Sequence, residues 1–532
     1  MTTLDWVIII AYLMGMIGLS VYLGRGQKDE EDYYVGGRKL PWWAIGISTM
    51  ATQTSAISFI SIPAFVALKE GGGLTWLQYE LAVPLAMIAV MVLVIPLFRG
   101  LNLVSVYEYL ELRFDASVRS LVSGVFLVSR GLATGVGVYA SGIVLAVCLG
   151  IPLWATILII GVVTIIYDTI GGITAVVYSD VIQMVVLLGG IIVCIFYAAG
   201  EVGGFGAMLD VMPDERFQAL DFSTGLGDGG SVPFWAFLFG GFFLYASYYG
   251  TDQSQVQREL SAKTIGESKY ALVFNGLARF PLTLLYIALG IAVYAAYVSS
   301  PELQASVPAD RPDELVPQFI LLNLPSGLRA VLFAALLSAA MSSLDSALNS
   351  LSAATMRDFL NDRLPSEQSR FLWSKLTTVA WGVLITGFAF LVGEIDDTVI
   401  ESINKIGSAF YGPVLAAFLV GVLSRRIGAR GILFGILVGV AFNLVQWIAF
   451  PQIYWMWWNA FGCAVAAIVA ALVSRVGPGA DADDGAAKAQ YTVWAQGGSL
   501  LERERSWLPV YALLIGYFVL MLVIMTLLPR LA

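Results

Sequence analysis

Two segments rich in hydroxyl groups interrupt long apolar runs of this sequence, and both could supply oxygen ligands. Residues 48–58 (STMATQTSAIS) contain six serine or threonine residues and a glutamine, and Pro63 follows. Residues 245–253 (YASYYGTDQ) form the second segment, which continues into an amphipathic tail. If a helix breaks at each segment, freed carbonyls and hydroxyls can bind a cation or a polar solute inside a bilayer. The alternative is that the hydroxyl groups only allow close helix packing.

Several charged residues also lie within apolar runs. Arg130, Arg279 and Lys405 are the basic ones, and Asp345 is an acidic one. A charge at membrane depth is costly unless it is paired or coordinates an ion, so such residues are candidates for function. A structural ion pair is the alternative for each of them.

The residue types present disfavour several other functions. The chain has no histidine, and Cys148, Cys194 and Cys463 all lie in apolar runs. No metal cluster, nucleophile–base pair or phosphate-binding GxxxxGK[ST] motif is found, so we do not expect an enzyme or an ATP-driven pump. The net charge of −9 argues against nucleic acid as a partner.

Composition predicts an all-α integral membrane protein. The chain is 58% hydrophobic and 13% charged, whereas soluble domains carry roughly 25% charged residues. Its apolar residues form blocks that approach or exceed the ~20 residues of a membrane-spanning helix. Backbone groups in lipid must be satisfied internally, and the blocks lack the alternation of barrel strands.

Apolar blocks and helix-breaking residues predict about 14 membrane-spanning helices. They are expected near residues 4–24, 43–68, 76–98, 117–148, 152–171, 176–200, 233–251, 269–299, 317–356, 372–394, 400–424, 430–450, 455–474 and 507–529. The ninth is too long for one span and is expected to include a short interfacial helix before Pro325.

The positions of lysine and arginine predict the orientation. With the N-terminus outside, the odd-numbered loops and their flanking helix ends hold 21 of these residues, including Arg258, and the other loops hold five. Cytoplasmic loops carry the excess of basic residues. We therefore expect a multi-pass protein of the cell membrane with both termini outside.

The two hydroxyl-rich segments suggest an internal repeat, because five predicted helices separate their starts. The expected organisation is a leading helix and loop (1–42), a first five-helix repeat (43–200), a second, inverted one (233–424), and three further helices (430–532). Residues 476–506, with a Gly-Pro-Gly and an Asp/Ala/Gly tract, are expected to form a mobile cytoplasmic linker.

Four motifs resemble those of the sodium/solute symporter family. Residues 248–263 (YYGTDQSQVQRELSAK) are similar to the TDQxxVQRxLSAK stretch of sodium/glucose cotransporters, and residues 178–183 (YSDVIQ) to their YTDxxQ. Residues 340–350 (AMSSLDSALNS) are similar to xMSSLxSxxNS, and residues 32–38 (DYYVGGR) resemble the family's first cytoplasmic loop. Bacterial sialic acid symporters and multivitamin and monocarboxylate symporters are similar too. The resemblance implies a LeuT-type inverted repeat with one helix before the core and three after it.

The resemblance also implies a sodium site between the first broken helix and the predicted ninth helix. Its ligands would be the carbonyls of Ala51, Thr54 and Ala339 and the hydroxyls of Ser342 and Ser343. Positions i, i+3 and i+4 from Ala339 share one helical face, which is compatible with such a site. Sodium is thus the expected co-transported ion. The alternative is that both serines only pack and bond to their own helix.

A second sodium site occurs in some relatives, and here it would involve Asp180, Asp345 and Ser346. Relatives more often have serine or threonine at the position of Asp345. A buried carboxylate strengthens the case for a second ion, but Asp345 could instead pair with a cytoplasmic arginine. Both possibilities stay open, and with them a stoichiometry of one or two sodium ions.

The solute would bind between the second, third, seventh and eleventh predicted helices. The candidates are Gln53, Ser55, Ser58, Gln78, Glu80, Asp252, Gln253, Lys405 and Arg130. Sugar-transporting relatives have a glutamate at the position of Glu80, which could accept bonds from hydroxyl groups. Lys405 stands where they have glutamine, and it could hold a substrate carboxylate or pair with Glu401 or Glu80. A relative that imports sialic acid uses an arginine on the helix of Arg130.

The expected function is sodium-coupled import, by alternating access, of a small polar solute such as a sugar, sialic acid or a small carboxylate. The chain is expected to work as a monomer in the lipid bilayer. The alternatives are a proton-coupled or uncoupled transporter, a transporter-like sensor and, less favoured, a membrane enzyme.

Overall fold

The described part of the chain is built from helices alone. The computed structural model describes residues 1–228, 232–309, 311–392, 399–476, 488–495 and 499–531. Within these ranges the only β-type pairing is an isolated bridge between Leu40 and Ala262. The all-helical prediction therefore agrees with the described residues.

Sixteen helices carry the architecture. They are α1 (Thr3–Gly24), α2 (Trp42–Gln53), α3 (Ala56–Ala67), α4 (Val83–Leu93), α5 (Ala116–Leu149), α6 (Leu153–Val202), α7 (Gly241–Thr251), α8 (Gln253–Leu260), α9 (Ile265–Ser299), α10 (Leu315–Asn323), α11 (Leu328–Thr355), α12 (Glu367–Ala389), α13 (Val399–Leu423), α14 (Ala429–Ala449), α15 (Trp457–Val476) and α16 (Leu508–Leu527). Short helices, including Glu30–Val35, Glu108–Arg113 and Phe205–Asp210, connect them.

The number of membrane spans depends on how broken helices are counted. Within the described residues, eleven helices are long and apolar enough to cross a membrane, and the bent pair α2–α3 would make a twelfth. The 50-residue helix α6 contains a break at Gly172 (φ 54°, ψ −161°). A Cβ there would lie 2.6 Å from the Tyr33 carbonyl oxygen, so glycine is required both for φ and for space. The count of fourteen spans stays a prediction.

The helix α11 lies at the centre of the bundle. In the most apolar stretch of the segment that contains α11, 89% of the residues are buried, compared with 17% for α1 and 22% for the segment that contains α16. It packs against α6, α5, α12 and α1, while α9 packs against α2, α3 and α6. Small residues dominate α11 between Ala334 and Ala354, which permits close approach of its neighbours. The terminal helices α1 and α16 present most of their surface to the surroundings.

The described part of the expected linker packs on the helices. Residues 488–491 and 505–507 form 3₁₀ turns, and Leu500–Arg503 forms a helical turn with a Ser499–Glu502 capping box. Residues 477–487 and 496–498 of that linker lie outside the described residues.

Candidate functional site

The first break separates α2 from α3. These two helices are bent by 60° relative to each other. Thr54 has non-helical angles (φ −98°, ψ 79°), and its backbone N–H donates to the carbonyl of Ala51 at 2.9 Å. Ser55 caps α3 by accepting a bond from the backbone N–H of Ser58. The last carbonyls of α2 therefore lack the helical donors of a continuing helix. Those of Ala51 and Met50 each accept one bond from Thr54, and the second lone pair of each oxygen can serve a ligand.

A second break lies between α7 and α8. Asp252 has extended angles (φ −81°, ψ 120°), and its carboxylate accepts bonds from the backbone and hydroxyl groups of Ser254. Both hydroxyl-rich segments identified in the sequence thus coincide with breaks in helices.

A cavity of about 210 Å³ opens beside the first break. One ordered water needs only ~10–15 Å³ by the same kind of measure, so there is room for a small organic solute. Seven predicted site residues line the cavity: Gln53, Thr54, Ser55, Ser58, Glu80, Arg130 and Ser343. Aromatic side chains form much of the remaining wall: Trp76, Tyr79, Tyr245, Tyr248, Tyr286 and Tyr411.

Glu80 makes a buried ion pair with Arg279 on one wall of this cavity. The guanidinium donates to both carboxylate oxygens, at 2.9 and 2.7 Å, and the Thr283 hydroxyl donates to one of them at 3.0 Å. Arg279 also bonds to the side chain of Gln53, which accepts a further bond from Tyr249 at 3.0 Å. Arg279 lies within an apolar run, but it is not among the predicted site residues. Its position inside a membrane-spanning segment was the signal that could have identified it.

Arg130 forms the second cationic group of the cavity, and it is held more loosely. Its nearest carboxylate is that of Asp252, with 3.8 Å between Nη1 and Oδ2. This distance is too long for a direct hydrogen bond. The Nε atom is buried without a hydrogen-bond partner among the described residues, and the guanidinium lies 5.9 Å from the centre of the Tyr248 ring. Arg130 therefore lines the cavity without a close ion pair to a described carboxylate.

The two serines of the expected sodium site point to different partners. The Ser343 hydroxyl donates to the Ala339 carbonyl at 3.3 Å, and Ser343 lines the cavity together with Thr54. Ser342 is buried, and its hydroxyl donates to Asp180. In this conformation Ser342 thus belongs to a neighbouring polar cluster, whereas Ser343 faces the break in α2–α3.

This neighbouring cluster, which we call the arginine cluster, is centred on Arg258. Its guanidinium contacts Asp180 at 3.1 Å and donates to the Ser48 hydroxyl at 2.7 Å and to Ser346. Arg258 is 1% exposed, so it does not belong to a charged cytoplasmic loop as the orientation argument assumed. A single sequence offers no signal that this particular arginine is buried.

Asp345 lies at the edge of the arginine cluster and has no basic partner among the described residues. It accepts bonds from the Tyr167 hydroxyl and, at 3.2 Å, from Ser346. One turn further along α11, Asn349 donates to Asp168 at 3.4 Å, and the second oxygen of Asp168 is buried without a described partner. Three fully buried carboxylates, Asp168, Asp180 and Asp345, thus lie near a single arginine.

Four of the predicted solute-binding residues lie outside the cavity lining. Gln78 bonds to the backbone of Thr75, Val232 and Asp221, and Gln253 bonds to the backbone of Val104 and Val106. Both amide groups therefore support loops. Asp252 caps α8, as described above, and half-buried Lys405 is one residue from Asn404, which does line the cavity. The side chain of Glu401 lies outside the described residues.

The sequence is similar to those of sodium-coupled transporters. The model of the sodium:solute symporter family matches residues 33–439. The sodium/sialic acid symporter of Aliivibrio fischeri is 30% identical over 453 residues, which are 84% of this chain and 88% of that protein. Sodium-coupled monocarboxylate transporter 1 of Xenopus laevis is 29% identical, over 85% of this chain and 73% of that protein.

A solved structure shares the architecture of most of this chain. It is the substrate-bound, outward-open state of a sodium-coupled sialic acid symporter, described as revealing a novel sodium site. The TM-score is 0.81 at 26% identity, and the match covers 90% of this chain and 98% of that one. The LeuT-type class that the resemblance implied is confirmed.

Proposed function

Because this chain belongs to the sodium:solute symporter family, we propose that it imports a small organic carboxylate together with sodium by alternating access. That the chain is a multi-span membrane symporter coupled to sodium follows from the family. The carboxylate class of the solute is the part that we add.

The observation that carries this proposal is the state of Arg130. It lines the cavity, the one carboxylate that it approaches among the described residues is 3.8 Å away, and its Nε has no described hydrogen-bond partner. A guanidinium can bind a carboxylate through two parallel hydrogen bonds, which gives both affinity and orientation. The two relatives described above transport, by name, sialic acid and monocarboxylates, and both solutes carry a carboxylate.

The bonding of Glu80 argues against a neutral sugar. A sugar site would need free acceptors for several hydroxyl groups, but Arg279 and Thr283 already fill three of the about four acceptor positions of Glu80. We propose instead that the Glu80–Arg279 pair forms one polar wall, while Ser55, Ser58 and Gln53 bind the uncharged part of the solute.

We propose a sodium site at the break, formed by Ala51, Thr54, Ala339 and Ser343. Ser342 would join it when its hydroxyl turns away from Asp180. Thr54 and Ser343 line the same cavity as Arg130, which supports direct contact between the sodium and solute sites.

Replacing Ser343 by alanine is expected to weaken sodium activation of uptake by roughly 10- to 100-fold. The loss of one hydrogen bond or ligand to a charged partner costs about 1.5–3 kcal/mol. The measurement is the sodium concentration for half-maximal uptake in proteoliposomes. A matched control is Ser141→Ala, since Ser141 also lines the cavity but lies on α5. Unchanged sodium dependence in Ser343→Ala would contradict this site.

We propose that a second sodium ion binds near Asp345, with Asp180 and Ser346. Two sodium ions with one monocarboxylate carry one net positive charge inward, whereas one sodium ion makes the transport electroneutral. Each charge moved gains about 2.3 kcal/mol per ~100 mV. Asp345→Asn is therefore expected to abolish the dependence of uptake on membrane potential and to lower the Hill slope for sodium. Potential dependence that is unchanged in Asp345→Asn would remove this site.

The remaining assignments are proposals too. The excess of basic residues in alternate loops supports a plasma-membrane protein with both termini outside. The breaks after α2 and α7 support two inverted five-helix repeats at 43–200 and 233–424, between a leading segment (1–42) and three further helices (430–532). We further propose that the chain works as a monomer, without enzymatic activity and without nucleic acid.

Radiolabelled uptake into proteoliposomes tests the function. Lactate, pantothenate and sialic acid would be compared with the neutral sugars glucose and galactose, each with external sodium and then with choline. Sodium-dependent uptake of an organic acid alone supports the proposal. Sodium-dependent uptake of a neutral sugar would overturn the carboxylate assignment, and uptake that does not need sodium would overturn coupling in this chain.

A further inference from the structure

A short segment after α15 closes over the end of α13. Residues 488–495, which we call the strap, place the backbone N–H of Val493 3.1 Å from the carbonyl oxygen of Val422. The indole Nε1 of Trp494 donates to the carbonyl of Leu423 at 2.7 Å. The last carbonyls of a helix need such donors, so the strap caps α13. This helix also carries Asn404 and Tyr411 of the transport cavity.

An open groove of about 660 Å³ lies next to the strap, between α13 and α15. Leu419, Val420, Leu423 and Ala467 form its apolar floor, and Trp494 forms one wall. The ring of Trp494 is 50% exposed, although it is anchored through Nε1. A tryptophan at the end of membrane-spanning helices is typical of the boundary between lipid and water.

Basic side chains line one part of this groove. Arg425 and Arg426 line it directly, while Arg430 lies in the first turn of α14 and Arg475 in the last turn of α15, and both are exposed. Arg425 donates one bond to the carbonyl of Trp494 at 2.9 Å. The other three guanidinium groups make no hydrogen bond or ion pair with a described residue. Arg425 and Arg426 thus lie beside the apolar floor of the groove, and the guanidinium of Arg426 bonds to no described residue.

We propose that this groove binds an anionic phospholipid. The phosphate lies against Arg425 and Arg426, and one acyl chain runs along Leu419, Leu423 and Ala467 beneath the Trp494 ring. The planar guanidinium fork matches phosphate oxygens, and basic pockets at the cytoplasmic ends of membrane helices suit anionic headgroups. The site is separate from the transport cavity, and its ligand ties the strap to the end of α13.

Native mass spectrometry of the full-length protein from nanodiscs tests this proposal, with phosphatidylglycerol and phosphatidylcholine as probes. The wild type is expected to retain phosphatidylglycerol in preference to phosphatidylcholine. Arg426→Gln is expected to lower that retention about fivefold and Arg425→Gln/Arg426→Gln roughly 30-fold, since each arginine contributes about 1 kcal/mol to such binding. Arg426→Gln removes no bond to a described residue, so its folding should be unaffected.

The matched control is Arg363→Gln, because Arg363 is an equally exposed arginine at the end of another helix. Full retention in this control and loss in Arg426→Gln support the site. Equal retention in Arg426→Gln and wild type would overturn it. Displacement of phosphatidylglycerol by inorganic phosphate alone would also overturn it, because the groove would then be a soluble-anion site that does not hold an acyl chain.

Discussion

Uptake of a carboxylate solute is expected to fall by roughly 30- to 4,000-fold when Arg130 is replaced by glutamine. Truncating one partner of a buried, hydrogen-bonded charge pair costs about 2–5 kcal/mol. The proposed partner is the solute, since Asp252 lies 3.8 Å away, too far for a direct hydrogen bond. Initial uptake rates in proteoliposomes at saturating sodium measure the effect. The uptake rate of Arg130→Lys should lie between those of the wild type and Arg130→Gln. Lysine keeps the positive charge but cannot bind a carboxylate through two parallel hydrogen bonds.

Two controls separate solute binding from folding. Arg130→Gln leaves Asp252 without its cation, so the double variant Arg130→Gln/Asp252→Asn should recover thermal stability while uptake remains low. Stabilisation by sodium should persist in both variants, because the proposed sodium ligands lie on other side chains and on carbonyls. Wild-type uptake in Arg130→Gln would show that the carboxylate binds elsewhere.

Replacing Arg258 by methionine is expected to destabilise the protein by about 3–5 kcal/mol. This is the usual cost when one member of a buried ion pair is removed and the other charge stays buried without a partner. Asp180 is fully buried, and its remaining donors are the hydroxyls of Ser48, at 2.5 Å, and Ser342. Thermal unfolding in detergent, followed by tryptophan fluorescence, measures the loss.

A double-mutant cycle identifies the cause of that loss. If the stranded carboxylate is responsible, Arg258→Met/Asp180→Asn should be more stable than Arg258→Met alone. An exposed substitution such as Arg363→Gln should change stability by no more than about 0.5 kcal/mol. Wild-type stability in Arg258→Met would mean that Asp180 does not need this counter-charge.

The positions of the proposed sites bear on coupling. Ser343 and Thr54 line the cavity that also contains Arg130 and Glu80. Sodium at the break would fix the orientation of α2 relative to α3 and so position Ser55 and Ser58 for the solute. Linkage then requires the solute to raise sodium affinity by the same factor as sodium raises solute affinity. Binding measured in both orders checks this equality.

Composition and local sequence patterns were enough to predict the class of the protein and the location of its two hydroxyl-rich breaks. Apolar blocks of membrane-spanning length reflect the local requirement that backbone groups in lipid bond within their own helix. The break between Gln53 and Ala56 was also readable, because a concentration of hydroxyl residues before Pro63 is a local signal. Motifs such as residues 340–350 added the family, which the comparisons bear out.

Which polar residues contact each other depends on the packing of the helices. Glu80 and Arg279 are 199 positions apart, and Asp180 and Arg258 are 78 apart, so no local pattern could pair them. Gln78 and Gln253 looked like ligands by their residue type, yet they bond to loop backbones. Ser342 and Ser343 are neighbours on one helix but face different clusters, because adjacent side chains on a helix point about 100° apart. Helix periodicity and hydropathy are encoded locally, whereas the partner of a buried charge is set by how the helices pack.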